Sequence, residues 1–383
     1  MRILPVKRQH PSGGHEKPFA PNPKAGRSAR ALWNRTAQRI RGRAVPYDPP
    51  NRFETVHLEM DPGQLIDEKP RTEFLADSTR AIVSRNQSPD VGFDASVNPY
   101  RGCEHGCVYC YARPTHEYLG FSSGLDFERK ILVKHKAPQL LRDALSAPGW
   151  KPRVIGMSGV TDAYQPVERG LELTRGCLKV LRDFRNPVTI VTKNHLVTRD
   201  ADLLSDLAAH DCVHVTVSVT TLRNELQRIM EPRTSIPARR LDAIHRLASA
   251  GIPVGVFVAP VIPGLTDEEV PSIVRAAAEA GAMYASFLLV RLPLGVADHF
   301  THWLETHLPD RKDKVLGRIR QARGGKLNDG AFHRRFRGEG QYAGQLEGLF
   351  RAAVRQAGLE GAPPPLSVAG FRRDGGVQRD LFS

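Results

Sequence analysis

The sequence predicts an α/β fold built as an open, partial (β/α)6 barrel. Three observations carry this reading. Short apolar runs alternate with helix-period segments, the boundaries between them are marked by capping and turn residues, and only six strand starts occur. The first strand, Ala95–Tyr100, runs into a cysteine-rich loop. Five strand-helix units follow: Val154–Met157 with Val167–Phe184, Val188–Thr192 with Arg199–Ala209, Val213–Val219 with Pro237–Ala250, Val254–Ala259 with Asp267–Ala280, and a last strand, Tyr284–Val290. Repeated strand-helix units call for a parallel sheet with helical crossovers. Six strands are too few for a closed eight-fold barrel, and in either architecture the C-terminal strand ends face the ligand.

The helix ends support the boundaries. Thr266 and Glu269 have the spacing of a capping box, Gly281 ends that helix, and Pro237 and Gly251 bracket the one before. In Val213–Val219 the valines make one apolar face, while His214, Thr216 and Ser218 point the other way. That polar row must be satisfied by a ligand at the strand top or by other core polar groups.

The 383 residues hold 55 Lys and Arg against 41 Asp and Glu, a formal charge of +14. Residues 1–50 carry +9 and residues 311–340 carry +7, whereas residues 51–310 are at −3. The division expected is a basic, largely irregular and flexible N-terminal arm (1–70), a barrel core (71–295) and a basic C-terminal extension (296–383). Clustered cations, here in segments 24–43 and 311–337, are the footprint of a polyanion binder such as DNA or RNA. A solvated arm without a partner is the alternative. The apolar fraction of 40% excludes a wholly disordered chain. No apolar run approaches the roughly 20 residues of a membrane span, and no apolar leader follows Met1, so the cytoplasm is expected.

Three of the five cysteines, Cys103, Cys107 and Cys110, fall within eight residues. An odd number in a reducing compartment does not make a disulfide framework. Three thiolates on one loop repel each other unless a metal neutralises them, and together they can cap one face of an iron-sulfur cubane. Zinc, with His105 or His116 completing the set, is the competing reading. Cys177 and Cys212 are expected to be buried structural thiols.

This Cys-x3-Cys-x2-Cys loop after a first strand, with Tyr109 before the last Cys and five further strand-helix units to about residue 292, resembles the radical S-adenosylmethionine (radical SAM) superfamily. The stretches Asn98–Arg113, Thr161–Glu168 and Val191–Asn194 are more narrowly similar to the spore photoproduct lyase-like group, also called DNA repair photolyases. The resemblance implies a [4Fe-4S] cluster on Cys103, Cys107 and Cys110, with S-adenosylmethionine on its fourth iron. It implies reductive cleavage to methionine and a 5′-deoxyadenosyl radical that abstracts hydrogen, fed by an electron donor such as flavodoxin or ferredoxin. It places Tyr111, Thr161, Lys193 and Ser218 at the cofactor. Arg233 is a candidate for the cofactor carboxylate or a substrate phosphate, or else a partner of Glu231 or Glu225. Asp162, Gln165 and Glu168 are candidates for helix capping or for the substrate side. Arg291, ending the last strand, is a candidate for a lumenal anion. One departure matters: where the lyase carries a hydrogen-donating Cys, this chain has Gly159. Spore photoproduct repair is therefore not inherited, and Tyr109 becomes a candidate hydrogen donor. The extended pattern resembles a bacterial subfamily whose reaction is not established. Radical modification of a peptide or metabolite and a non-catalytic zinc or iron-sulfur nucleic-acid-binding protein are the rival functions.

Overall fold

The computed structural model describes residues 40, 42–54, 71–157 and 159–373. Most of the expected basic arm, residues 1–39, 41 and 55–70, lies outside these, including residues 24–39 and 41 of the first cationic segment. All described residues belong to one compact unit, Gln38–Ser383.

The main sheet contains β1 (Val83–Arg85), β2 (Ala95–Val97), β3 (Ile155–Met157), β4 (Val188–Thr192), β5 (Val213–Ser218), β6 (Val254–Val261) and β7 (Ala285–Leu289). Strands β2 to β7 are consecutive neighbours and all parallel; β1 adds to the β2 edge in antiparallel sense. This is the six-stranded partial barrel the alternation predicts, with an extra edge strand that it does not. Val213, Val215 and Val217 of β5 are buried, as β-branched residues on a packed sheet face should be. The polar row of β5 is largely satisfied internally: Thr216 Oγ1 lies 2.9 Å from the Tyr284 hydroxyl and His214 Nδ1 3.2 Å from Thr189 Oγ1. Only Ser218 stands at the strand top.

The crossover helices are α1 (Leu173–Phe184), α2 (Ala201–Ala208), α3 (Pro237–Ser249) and α4 (Val270–Glu279). Two of them differ from expectation. The segment from 167 breaks at Glu172, which takes a left-handed φ of 51°, because the Glu168 carboxylate caps α1 by accepting from the Thr174 and Arg175 amides. The capping box before α4 does not form. Thr266 Oγ1 instead accepts the Ile262 amide, and Glu269 accepts from Thr221, the Leu222 amide and Arg223.

Residues 42–54 lie within the expected flexible arm and carry no helix or strand, yet they are packed. The amides of Ala44 and Val45 donate to Glu128, and Leu125 N donates to the Tyr47 carbonyl. The expected C-terminal extension packs within the same unit. The amide of Leu289 in β7 donates to Phe336 O, and helix α5 (Gly340–Gln356) sends Ala343, Leu346, Ala353 and Val354 into the main core. A three-stranded sheet of Glu73–Ala76, Lys130–Val133 and Tyr100–Arg101 holds the chain just before the cysteine loop.

Candidate metal and cofactor centre

The loop Cys103–Cys110 follows Tyr100–Arg101 and turns on two glycines. Gly102 has φ 79° and Gly106 φ 65°, and a Cβ at Gly106 would stand 2.6 Å from Glu128 Oε2, so the turn requires glycine on both counts. The loop is fastened from behind. Cys103 N donates to Phe127 O (2.9 Å) and Val108 N to Met230 O (3.0 Å). The fully buried Arg113 guanidinium donates to the carbonyls of Cys107, Gly106, Ser123 and Gly124 and to Glu128. Gln165 bridges the loop edge, accepting from Glu104 N and donating to Gly102 O.

Cys103 and Cys107 are buried, Cys110 is half-buried, and none is in a disulfide. Burial holds the Cys103 and Cys107 thiols well above their ordinary range and raises Cys110 as well. Without a metal these sulfurs stay protonated; a bound cation supplies what burial removes. Three free sulfurs on one rigid loop fit a cluster that uses each on a separate iron. A zinc site fits less well. Both ring nitrogens of His105 are engaged, Nδ1 3.3 Å from Asp162 and Nε2 3.1 Å from Asn194, whereas His116, buried against Phe121 and Phe127, has no hydrogen-bond partner on either ring nitrogen and is the histidine still open to a metal. Among the described residues no three His, Cys, Asp or Glu side chains converge on a single ion position.

The parallel strands bring the remaining candidates to the same edge. Lys193, one residue past β4, donates to Ala259 O (2.8 Å) and Thr220 Oγ1 (3.0 Å) and pairs with Glu231 at 3.2 Å. Burial, and after it the neighbouring Arg240, lower its pKa to about 7 against the opposing pull of Cys107, Asp162 and Cys110. Thr161 is buried, its hydroxyl on Tyr100 O, and Ser218 is buried at the end of β5. Tyr111 is 44% exposed, and its hydroxyl donates to Gly159 O at 2.7 Å. Tyr109 is buried, with its hydroxyl donating to Glu231 and 3.3 Å from Thr220. Arg233 pairs with Glu104 at 2.8 Å and reaches Thr72, rather than pairing with Glu231 or Glu225. Asp162 accepts from the Lys193 and Tyr164 amides and from Thr192. Burial would raise its carboxyl, but His105 and these amides outweigh it and hold the group below its ordinary value.

Sequence reasoning missed Glu231 as more than a partner for Arg233. Its wholly buried carboxylate receives Tyr109, Thr220, Lys193 and Arg240. It missed Arg113 as the loop's inner clamp too. Arg113 was visible only as the last residue of the cysteine motif.

The profile described as the radical SAM superfamily matches residues 97–277. An uncharacterized protein of Methanocaldococcus jannaschii is 30% identical over 214 residues, covering 56% of this chain and 76% of its own. One from Mycobacterium tuberculosis is 37% identical over 220 residues, or 57% of this chain, and the chain spans only 65% of that relative's length. In fold the chain resembles spore photoproduct lyase complexed with dinucleoside spore photoproduct (TM-score 0.52, 16% identity, 74% of this chain and 79% of that one). A point mutant of the same lyase gives TM-score 0.51 at 17% identity, over 74% of this chain and 78% of that one. The chain belongs to the radical SAM superfamily. Within it the fold is of the spore photoproduct lyase type.

Proposed function

We propose that this protein is an iron-sulfur enzyme that reductively cleaves S-adenosylmethionine and directs the resulting hydrogen abstraction at a nucleic acid or nucleotide-like substrate. The observation that carries the reading is the set of three unpaired thiols on a clamped loop at the strand-end edge that also carries Lys193. A [4Fe-4S] cluster with S-adenosylmethionine bound supplies one-electron cleavage of a sulfonium and a carbon radical. Cys103, Cys107 and Cys110 would hold the cluster. Lys193 would meet the methionyl carboxylate, and Thr161, Ser218 and Tyr111 would line the cofactor's flank. Arg233, tied to Glu104, fixes the outer side of the loop. Arg113, Gln165 and Glu231 hold the loop still, so that the thiols need no rearrangement on binding.

The substrate class rests on charge. In segment 311–337, Arg311, Lys314 and Arg318 line a cleft of about 310 Å³ together with Tyr342, Asp267 and Glu268, so three cations face two carboxylates there and only the excess cation supports a phosphate contact. Others in the segment are spent internally: Arg323 is buried and donates to the carbonyls of Leu289, Val290 and Arg335. No helix among the described residues is long and apolar enough to cross a membrane. The unpaired thiols favour a reducing compartment, the cytoplasm, with flavodoxin or ferredoxin as the reductant. The test is anaerobic reconstitution with iron and sulfide, then reduction with S-adenosylmethionine and deuterium-labelled DNA, RNA or cell extract. Methionine, 5′-deoxyadenosine and deuterium transfer from nucleic acid are expected. Uptake of zinc in preference to iron, or no cleavage, would overturn the enzyme reading, and deuterium arriving only from a non-nucleic fraction would overturn the substrate class.

A further inference from the structure

Arg291 follows the last barrel strand, β7, and its guanidinium lies between two aromatic faces, 4.6 Å from the Tyr111 ring centroid and 5.3 Å from that of Phe336. The stack continues outward, with Arg335 4.7 Å from Phe336 and 4.8 Å from Phe332. The two cations are not equivalent. Arg335 is ion-paired with Asp90 at 2.5 Å. Arg291 makes no ion pair or hydrogen bond among the described residues: Asp90 is near enough to raise its pKa but is committed to Arg335, and burial of the half-buried guanidinium lowers it.

Stacking uses only the faces of a guanidinium. Its five N–H donors lie in the plane, in a fork that matches two oxygens of a phosphate. A half-buried cation whose donors meet no protein acceptor is costly unless something else supplies the anion. Arg291 is within electrostatic reach of Cys110 and touches Tyr111, so an anion held there would sit beside the cluster loop. Tyr111 (44% exposed) and Phe332 (51% exposed) leave open ring surface on the same stack, of the kind on which unpaired bases pack.

We propose that Arg291 is the substrate-phosphate receptor of this site. It grips one phosphodiester of a single-stranded or locally opened nucleic acid, while the Tyr111–Phe336–Phe332 stack supports a neighbouring base. This rests on the nucleic-acid reading above and gives it a named contact.

The test is fluorescence anisotropy of the cluster-loaded protein with short labelled single-stranded DNA and RNA over a series of salt concentrations. Wild-type binding is expected to weaken linearly with salt on logarithmic axes. Arg291→Gln should weaken binding roughly tenfold and lower the salt slope by about one. Arg246→Gln, on the exposed outer helix α3, should behave as wild type. Whether DNA or RNA is the source is read from which oligonucleotide Arg291→Gln affects more. If wild type binds and Arg291→Gln keeps the same affinity and slope, the assignment of Arg291 is wrong and the nucleic-acid reading survives. If wild type binds no oligonucleotide, the nucleic-acid reading itself fails. Should Arg291→Gln not fold, Arg291→Lys decides: weakened affinity with an unchanged slope supports a forked phosphate contact, and wild-type affinity overturns it.

Discussion

Lys193 Nζ lies 3.2 Å from Glu231 Oε1, and the same carboxylate accepts the Tyr109 hydroxyl from the cysteine loop. One buried acid thus joins the residue proposed for the cofactor carboxylate to the loop proposed for the cluster. Arg240, itself buried, pairs with the other oxygen, so two cations share one anion. An incoming carboxylate would give Lys193 a second counter-ion and leave Glu231 to Arg240 and Tyr109.

Removing the charge of Glu231 should therefore be expensive. Glu231→Gln keeps the shape but leaves the buried Arg240 without its carboxylate, while Lys193 keeps only the more distant Asp162. Breaking a buried pair in this way costs about 3–5 kcal/mol. A fall of that size in unfolding free energy, measured by urea titration, is expected. A loss under about 1 kcal/mol would mean that the network is far more hydrated than its burial indicates.

The cysteines should behave differently from Glu231. Cys107→Ala removes a sulfur whose main chain, not its side chain, is engaged: its carbonyl accepts from Arg113 and from Cys110 N. The protein is expected to fold with circular dichroism unchanged, yet to lose the iron-sulfur absorbance and most of its iron on reconstitution. Cys177→Ala, at a fully buried thiol of α1 far in sequence from the loop, should keep its iron and lose only stability. Equal iron content in wild type and Cys107→Ala would remove Cys107 from the ligand set.

Much of this arrangement was legible in the sequence for a physical reason. The strands that became β4, β5 and β6 are runs of β-branched residues buried on a barrel wall, and such runs have few alternatives. The cysteines announce themselves because closely spaced thiols are costly without a metal. What was not legible depends on contacts distant in sequence. Strand β1 is three mostly exposed residues, Val83–Arg85, without an apolar pattern. The break at Glu172 follows from a carboxylate four residues earlier turning onto α1. In the sequence Glu231 stands only as a possible partner of Arg233, and the fold alone reveals that Arg240, Lys193 and Tyr109 converge on it.

The strap 42–54 supplies a pH-dependent prediction. Burial, and then the nearby Asp126 carboxylate, raise the Asp48 carboxyl from 3.8 to about 6. An acid raised in the folded state costs stability once pH exceeds its unfolded value, and the full cost is present above the folded one. Asp48→Asn keeps an oxygen to accept the Asp126 amide, now 2.7 Å from Asp48 Oδ1. The variant should match wild type near pH 3.5 and become more stable than it as pH rises through 4 to 6, by about 1 kcal/mol after allowance for partial exposure. Thermal unfolding at pH 4 and pH 8 checks the sign. A variant less stable than wild type at pH 8 would show that Asp48 is ionised and well paired there.

Gly159 is the position at which the chain departs from the lyase pattern, and the fold has room to reverse it. A Cβ built there would meet only Ser96 Cβ at 3.6 Å and Ser96 Oγ at 3.8 Å, ordinary contacts, and its φ is not in the left-handed region. Its carbonyl already accepts the Tyr111 hydroxyl, a bond that a side chain leaves intact. Gly159→Cys is therefore expected to fold with stability within about 0.5 kcal/mol of wild type. It should show one additional thiol toward a maleimide, because the neighbouring Val160 is 40% exposed and Tyr111 borders solvent. If that thiol then accelerates return of hydrogen to a substrate radical, measured as solvent deuterium in product, glycine here is what separates this chain's chemistry from the lyase's. If the thiol reacts with maleimide but leaves solvent deuterium in product unchanged, hydrogen returns from another group, with Tyr109 as the next residue to replace by Phe.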